Sequence, residues 1–181
     1  MQTKEIQKVL VANRGEIAMR IFRACHDLGL QTIAIYSNED TYSMFRTAAD
    51  ESYLIGENES PLGAYLNIPR IIELAKKHGA DAIHPGFGLL SENSKFAELC
   101  EKCGIIFIGP GSDVIAKLGN KQEARNTMVA AGVPVIPGTE EAIYDPEKGA
   151  EEAARIGYPV IVRPAFTMGG TGGGICETRK K

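Results

Sequence analysis

An α/β fold built on a parallel sheet, covered by helices on both faces, is what this sequence predicts. Two observations carry that prediction. Short apolar runs alternate with amphipathic helical segments at the spacing of βαβ units, and glycine or proline closes most of the segments. In order along the chain, Ile6 to Ala12 is an apolar run of strand length. Ile17, Ile21, Ala24, Cys25 and Leu28 then recur at helical spacing, and Gly29 ends the helix. Gln31 to Tyr36 is the next strand, Ser37 to Arg46 a polar loop, and Ser52 to Ile55 a third short strand. Asn58 to Gly63 is expected as loop. Ile68 to His78 forms a helix with Pro69 in its first turn and Gly79 past its end. Asp81 to His84 is a strand stopped by Pro85-Gly86. A helix from about Glu92 to Cys103 and a strand from Ile105 to Ile108 follow, closed by Gly109-Pro110-Gly111.

Beyond Gly111 the rhythm changes. Ser112 can cap a short helix to Leu118, and Asn120 a second one to Ala131, with Gly132 at its end. Pro134, Pro137 and Gly138 stiffen a connection. Asp145-Pro146 then opens an acidic helix that ends near Gly157, and Tyr158 to Val162 is a further strand. The change of pattern between 110 and 135 divides the chain into expected domains 1–115 and 116–181, the second incomplete.

Composition narrows the function classes. With 181 residues, 44% hydrophobic and 24% charged, the chain is an ordinary globular sequence, and a net charge of −3 gives no reason to expect nucleic acid or an anionic membrane as partner. No apolar run approaches the ~20 residues of a membrane span, and no signal-peptide core follows Met1. The expected location is cytoplasmic. Cys100 and Cys103 form a CxxC, but on a helical segment and without a second pair or nearby histidines. They are expected as small residues on a buried stripe rather than as metal ligands, and no metal site is predicted in this chain.

The turn after the first strand, Ala12-Asn13-Arg14-Gly15-Glu16, has one glycine where a dinucleotide fingerprint needs three. Glu16 also places a negative charge where the pyrophosphate would sit. A dinucleotide-dependent oxidoreductase is therefore disfavoured, and no GxxxxGK[ST] segment is present. Near the other end, Arg163-Pro164-Ala165-Phe166-Thr167-Met168 leads into Gly169-Gly170-Thr171-Gly172-Gly173-Gly174. Such a backbone can approach a phosphate closely beside a basic residue, although a flexible linker has a similar composition. The few residues after Gly174 suggest the opening of a nucleotide site without its closing half.

Taken singly, the chemically able residues have plain structural roles. Lys121 is an exposed helical lysine, and Arg163 a strand-end arginine suited to a surface ion pair. His84, followed by Pro85-Gly86, shapes a loop at the ligand-binding edge of the sheet more naturally than it acts as a base, with Glu92 in the same loop. Arg20 and Arg23 sit opposite the apolar stripe of the first helix.

Longer motifs change the weighting. Val9-Leu10-Val11-Ala12-Asn13-Arg14-Gly15-Glu16-Ile17-Ala18, Tyr65-Leu66-Asn67-Ile68-Pro69, Ala82-Ile83-His84-Pro85-Gly86-Phe87-Gly88, Leu90-Ser91-Glu92-Asn93 and Phe107-Ile108-Gly109-Pro110 together strongly resemble the opening of biotin carboxylases. The style is that of pyruvate and acetyl-CoA carboxylases, over about residues 8–163. From Arg163 to Gly174 the chain instead resembles the large subunit of carbamoyl phosphate synthetase, another ATP-grasp enzyme that makes carboxyphosphate.

The resemblance implies a Rossmann-like preATP-grasp domain followed by an incomplete start of an ATP-grasp domain. It implies an ATP- and bicarbonate-dependent ligase that carboxylates biotin on a carrier protein or domain. Lys121, Arg163, Gly169 and Gly170 would bind ATP, His84 and Glu92 would line the site, and Arg20 and Arg23 would lie at a homodimer interface. The acidic magnesium ligands and the catalytic residues of that family lie beyond residue 181, so no catalytic residue is expected within this chain and the isolated chain is not expected to turn over. The alternatives are a non-catalytic assembly fragment that dimerises through its first helix, and a truncated relative of carbamoyl phosphate synthetase.

Overall fold

Five strands, β1 (Lys8–Val11), β2 (Gln31–Tyr36), β3 (Glu51–Leu54), β4 (Ala82–His84) and β5 (Ile106–Phe107), form one parallel sheet in the order β3-β2-β1-β4-β5. The computed structural model describes residues 5–164 and 172–179. Leu10 pairs with Ile33 on one side and Ile83 on the other, which makes β1 the central strand. Successive side chains of a strand point to opposite faces, and here both faces are apolar. Val9 and Val11 pack with Ala34 and Ala82 against α1 (Gly15–Asp27) and α2 (Met44–Ala48), through Ala18, Phe22, Cys25 and Phe45. Leu10 and Ala12 pack with Ile33, Ile35 and Ile83 on the other face, against α3 (Pro61–Leu66), α4 (Ile68–Lys77) and α5 (Ser94–Lys102). Those nine strand residues are each at most 1% exposed. Complete burial of both faces is why the strand runs are continuously apolar.

Two segments expected as loops are partly helical. Residues 37–46 hold a 3-10 turn, Asn38–Asp40, and the start of α2. Residues 58–63 run into α3, whose first turn carries Pro61 and whose cap Ser60 accepts from Gly63 N at 3.1 Å. These helices are short, and what holds them is tertiary: Phe45 and Tyr65 are inserted into the two cores. Cys100 is buried among apolar residues of α5, which pushes its thiol up to about 12; it is a core residue, and all four cysteines are free thiols.

The chain divides into two compact units, residues 1–115 and 116–181. The boundary falls inside α6 (Ser112–Gly119), where the Ser112 hydroxyl donates to Glu101 at 2.8 Å instead of capping the helix. In the second unit, α7 (Lys121–Ala130) is capped by Asn120, which accepts from Gln122 N at 3.0 Å. α8 (Pro146–Ile156) is capped by Asp145, which accepts from Glu147 N at 2.9 Å. A two-stranded antiparallel sheet, β6 (Val160–Val162) and β7 (Gly174–Cys176), completes the unit. The chain thus does return on a second strand after the glycine-rich segment, in the register Val160↔Cys176, Ile161↔Ile175, Val162↔Gly174. None of the residues of α7 or α8 is fully buried, and Ile136, Ile161 and Ile175 are more than half exposed. Among the described residues, no helix is long and apolar enough to cross a membrane.

A polar knot ties the first unit together at the carboxyl edge of its sheet. Asp40, 3% exposed, accepts from Arg14 Nε at 2.7 Å and from the second guanidinium nitrogen at 2.6 Å. It also accepts from the Tyr65 hydroxyl at 2.7 Å and the Ser43 hydroxyl at 2.9 Å, and the Tyr65 oxygen in turn accepts from Ser37 N at 3.2 Å. The Arg14 hydrogen bonds, with help from Tyr65 and Ser43, hold the Asp40 carboxyl at about 2, below its ordinary 3.8. Because the folded value is depressed, the stabilisation is complete above pH ~4 and is lost as pH falls from there towards 2. The shift corresponds to about 2 kcal/mol. Asp40→Asn is expected to lower stability at pH 7 by about 2–3 kcal/mol and to flatten the acid limb of the stability curve. Urea unfolding at pH 7 and pH 2.5 checks this; an unchanged difference between the two pH values in the variant would remove Asp40 as the titrating group.

Candidate functional site

Consecutive crossovers place β2 on one side of β1 and β4 on the other, so the sheet order reverses between β1 and β4. In open α/β sheets, the crevice at the carboxyl ends of such strands is the usual ligand position. Here its floor is filled by the chain itself. Asn13, 2% exposed, donates from Nδ2 to Pro85 O at 2.7 Å and Phe87 O at 3.0 Å, and its Oδ1 accepts from Arg14 N at 2.9 Å. Glu16, in the first turn of α1, is exposed and lies 3.6 Å from Arg20. A carboxamide clamp with an acid beside it leaves no cradle for a pyrophosphate at this turn.

His84 ends β4. Its Nδ1 accepts from Gly86 N at 3.0 Å, and burial lowers its pKa, so the imidazole is a neutral acceptor that fixes the turn. Gly86 has φ +67 and lies against Asn13: a Cβ there would come within 2.6 Å of Asn13 Nδ2 and 2.8 Å of Ile17 Cγ2. Leu89, with φ 45, is the non-glycine residue of this loop held in the left-handed region, a local strain. Glu92 is exposed just before Asn93, the cap of α5. Arg20 and Arg23 are both exposed on α1. His84 and Glu92 thus lie on one loop, with Arg20 and Arg23 on a separate helix face.

The larger hollow belongs to the second unit, about 1380 Å³, bounded by α7, residues 136–146, α8 and the β6–β7 hairpin. Lys121 and Arg163, singled out from sequence, both line it, as do Arg125 and Arg179. Two acids line it as well, and both are engaged. Glu152 pairs with Arg155 at 2.6 Å, and Asp145 is occupied in capping α8. The lining therefore carries a surplus of positive charge over a largely apolar wall that includes Ile143, Tyr144, Ile156 and Val160. Apolar walls with a few cationic groups suit a ligand with a flat apolar moiety and an anionic tail. Arg163 leaves β6 directly after Val162, whose partner Gly174 opens β7. Gly169 and Gly170 lie outside the described residues.

A smaller groove of about 310 Å³ in the first unit includes Glu57, Glu59, Asn67 and Arg70. Two of its polar groups are engaged: Asn67 donates to Glu59 at 2.5 Å, and Arg70 pairs with Glu73 at 2.8 Å. Among the described residues, no group of three or more His, Cys, Asp or Glu side chains could hold a metal ion.

Sequence reasoning missed Arg125, which falls four residues after Lys121 and so on the same helix face, a spacing legible in advance. It also missed the Asp40 knot, for which no local signal exists.

Known proteins carry both units. The family described as "Biotin carboxylase, N-terminal domain" matches residues 5–115, and "Carbamoyl-phosphate synthase L chain, ATP binding domain" matches residues 120–181. Biotin carboxylase 2 of Bacillus subtilis is 56% identical over 165 residues, 91% of this chain and 37% of that protein. Mitochondrial pyruvate carboxylase of Mus musculus is 51% identical over 172 residues, 95% of this chain and 15% of that one. Among solved structures, the biotin carboxylase domain dimer of Hydrogenobacter thermophilus 2-oxoglutarate carboxylase, in complex with MgADP, ADP and bicarbonate, superposes with a TM-score of 0.91 at 47% identity. The match covers 98% of this chain and 39% of that one. A Campylobacter jejuni biotin carboxylase complexed with a β,γ-ATP ligand gives a TM-score of 0.92 at 44% identity, over 97% and 39%. The chain thus spans well under half the length of these relatives.

The turn after β4 offers a direct check on the clamp at the sheet edge. Gly86→Ala is expected to destabilise the protein by about 2–3 kcal/mol, since it adds a left-handed alanine and a collision with Asn13. Chemical denaturation measures this, and a cost below about 0.5 kcal/mol would mean that Asn13 does not hold the loop.

Proposed function

The chain belongs to the biotin carboxylase N-terminal domain family, with a preATP-grasp fold followed by the start of an ATP-grasp fold, and from that premise we propose that it is the N-terminal portion of an ATP- and bicarbonate-dependent biotin carboxylase. The whole enzyme would transfer the γ-phosphoryl group of ATP to bicarbonate, releasing ADP, and pass the activated carboxyl group to biotin on a carrier protein or domain. The observation that carries this reading is the hollow of the second unit, with Lys121 and Arg163 on its wall and its acids already engaged. Lys121 and Arg163 bind the polyphosphate, the arginine through a two-pronged contact that a lysine could not make. Gly169 and Gly170 supply backbone N–H donors beside them. In the first unit, the neutral His84 acts by fixing the loop after β4 that also carries Glu92.

Magnesium would screen the phosphate charge in the whole enzyme. The described residues do not fit it, since no acidic cluster is present among them, so no step is assigned to the metal here. The working location would be the cytoplasm.

The isolated chain binds MgATP without turning it over. Titration with MgATP is expected to raise its apparent Tm, because the ligand binds the native state, and Arg163→Gln is expected to weaken binding about tenfold or more. Bicarbonate-dependent phosphate release should stay at background. A Tm unmoved by MgATP would defeat the nucleotide assignment, and measurable turnover would defeat the assignment of catalysis to residues outside this chain.

Arg20 and Arg23 project from the exposed face of α1 beside Met19, and a homodimer would bury this face. Its oligomeric counterpart is the solved dimer among the similar structures. Arg23→Glu should shift sedimentation equilibrium towards the monomer by about tenfold in Kd; an unaltered equilibrium would place the interface elsewhere.

A further inference from the structure

The hollow of the second unit carries its positive and negative charges in different states. Lys121 at the start of α7, Arg163 at the end of β6 and Arg179 just after β7 all line it, and all three residues are exposed. Arg125 adds a fourth positive charge from within the wall. Against these stand Asp145 and Glu152, each with a partner of its own. Glu152 is held by Arg155 through two hydrogen bonds, at 2.9 and 2.6 Å, and Asp145 accepts from Glu147 N at 2.9 Å.

Those two acids are also too far apart to hold one cation together. Asp145 caps α8 and Glu152 lies two turns along it, about 10 Å away at the helical rise of 1.5 Å per residue. A magnesium ion keeps its oxygen ligands at about 2.1 Å, so it cannot be shared across that span. Recruiting Glu152 alone would break its pair with Arg155. At Asp145 a dication would sit against the positive end of the α8 dipole. Among the described residues, no larger group of metal-ligating side chains comes together.

The consequence falls on the charge of the ligand. A nucleoside polyphosphate loses two negative charges when it takes up Mg²⁺, and the bound ion turns a positive face to its surroundings. In this hollow that face would meet Lys121, Arg163 and Arg179 rather than free carboxylates. The metal-free anion offers its whole charge to the same cations.

We propose that the hollow takes the nucleoside polyphosphate as its metal-free anion in preference to the magnesium complex. This rests on the reading of the hollow as the nucleotide site. The magnesium complex still binds, through the apolar wall and the phosphate charge that the ion leaves uncancelled. Water and salt screen the three exposed cations, which holds the expected preference to about tenfold.

Isothermal titration of the 181-residue chain tests it, with ATP in metal-stripped buffer and with ATP under saturating MgCl₂, at equal ionic strength. The metal-free form is expected to bind about tenfold more tightly. Arg179→Gln removes one positive charge from the lining and should narrow that gap to about threefold. Lys148→Gln removes one from an exposed residue of α8 that does not line the hollow, and should leave the gap unchanged. Equal affinities for the two forms in the parent chain, or tighter binding of MgATP, would overturn this assignment and leave the nucleotide reading standing. A gap that Arg179→Gln leaves intact, or that Lys148→Gln narrows equally, would also overturn it, since the preference would then not come from the hollow. Failure of the parent chain to bind ATP in either form would overturn the nucleotide reading and this assignment with it.

Discussion

The buried carboxylate of Asp40 is the constraint on which the carboxyl edge of the sheet depends. It is almost fully removed from water, and an isolated charge in that position would be strongly unfavourable. Four donors from three parts of the chain therefore converge on it: two guanidinium nitrogens of Arg14 after β1, the Ser43 hydroxyl before α2, and the Tyr65 hydroxyl from α3. Each of these groups needs the others. Arg14 is held by its two hydrogen bonds to Asp40 and lies over the Tyr65 ring, whose buried hydroxyl has both an acceptor and a donor, Asp40 and Ser37 N. Next to this knot, Asn13 joins the turn after β1 to the turn after β4. The position where an α/β sheet usually opens for a ligand is thus closed in this unit by its own polar groups.

The second unit shows the opposite balance. Its acids are spent on helix capping and a local ion pair, while Lys121, Arg125, Arg163 and Arg179 share a hollow with apolar walls. Saturated polar groups mark a region that holds shape, and an apolar hollow with a surplus of cationic groups suits an anionic ligand. This contrast lets two units of one chain be assigned different tasks without appeal to their mutual arrangement. The lengths agree with such an assignment: the chain spans 37% of a bacterial biotin carboxylase and 15% of a mammalian pyruvate carboxylase.

Much of the fold was legible because its signals are local. The helix Ile68–Lys77 has Pro69 in its first turn, an asparagine cap, and apolar residues spaced to bury Ile71, Ile72, Leu74 and Ala75. The strand Lys8–Val11 is apolar on both faces. Lys121 and Arg163 were legible through family motifs and share one hollow. Helices α2 and α3 were not legible, since five or six residues have too little intrinsic helicity to register. Their existence depends on Phe45 and Tyr65 finding distant pockets. The return strand β7 escaped for the same reason, being three residues long and defined by pairing with β6.

By itself the sequence determined the parallel α/β architecture and the family, because hydrophobic period, turn residues and motifs are properties of neighbours along the chain. Only the tertiary structure decided that Asp40 gathers Arg14 and Tyr65 from 26 and 25 residues away. It alone decided that Asn13 clamps the loop of His84 from across the sheet, and that Arg125 shares a wall with Lys121 and Arg163. Those facts depend on which buried charges and donors are left to satisfy one another once the apolar faces have packed. That accounting has no counterpart in any local stretch of sequence.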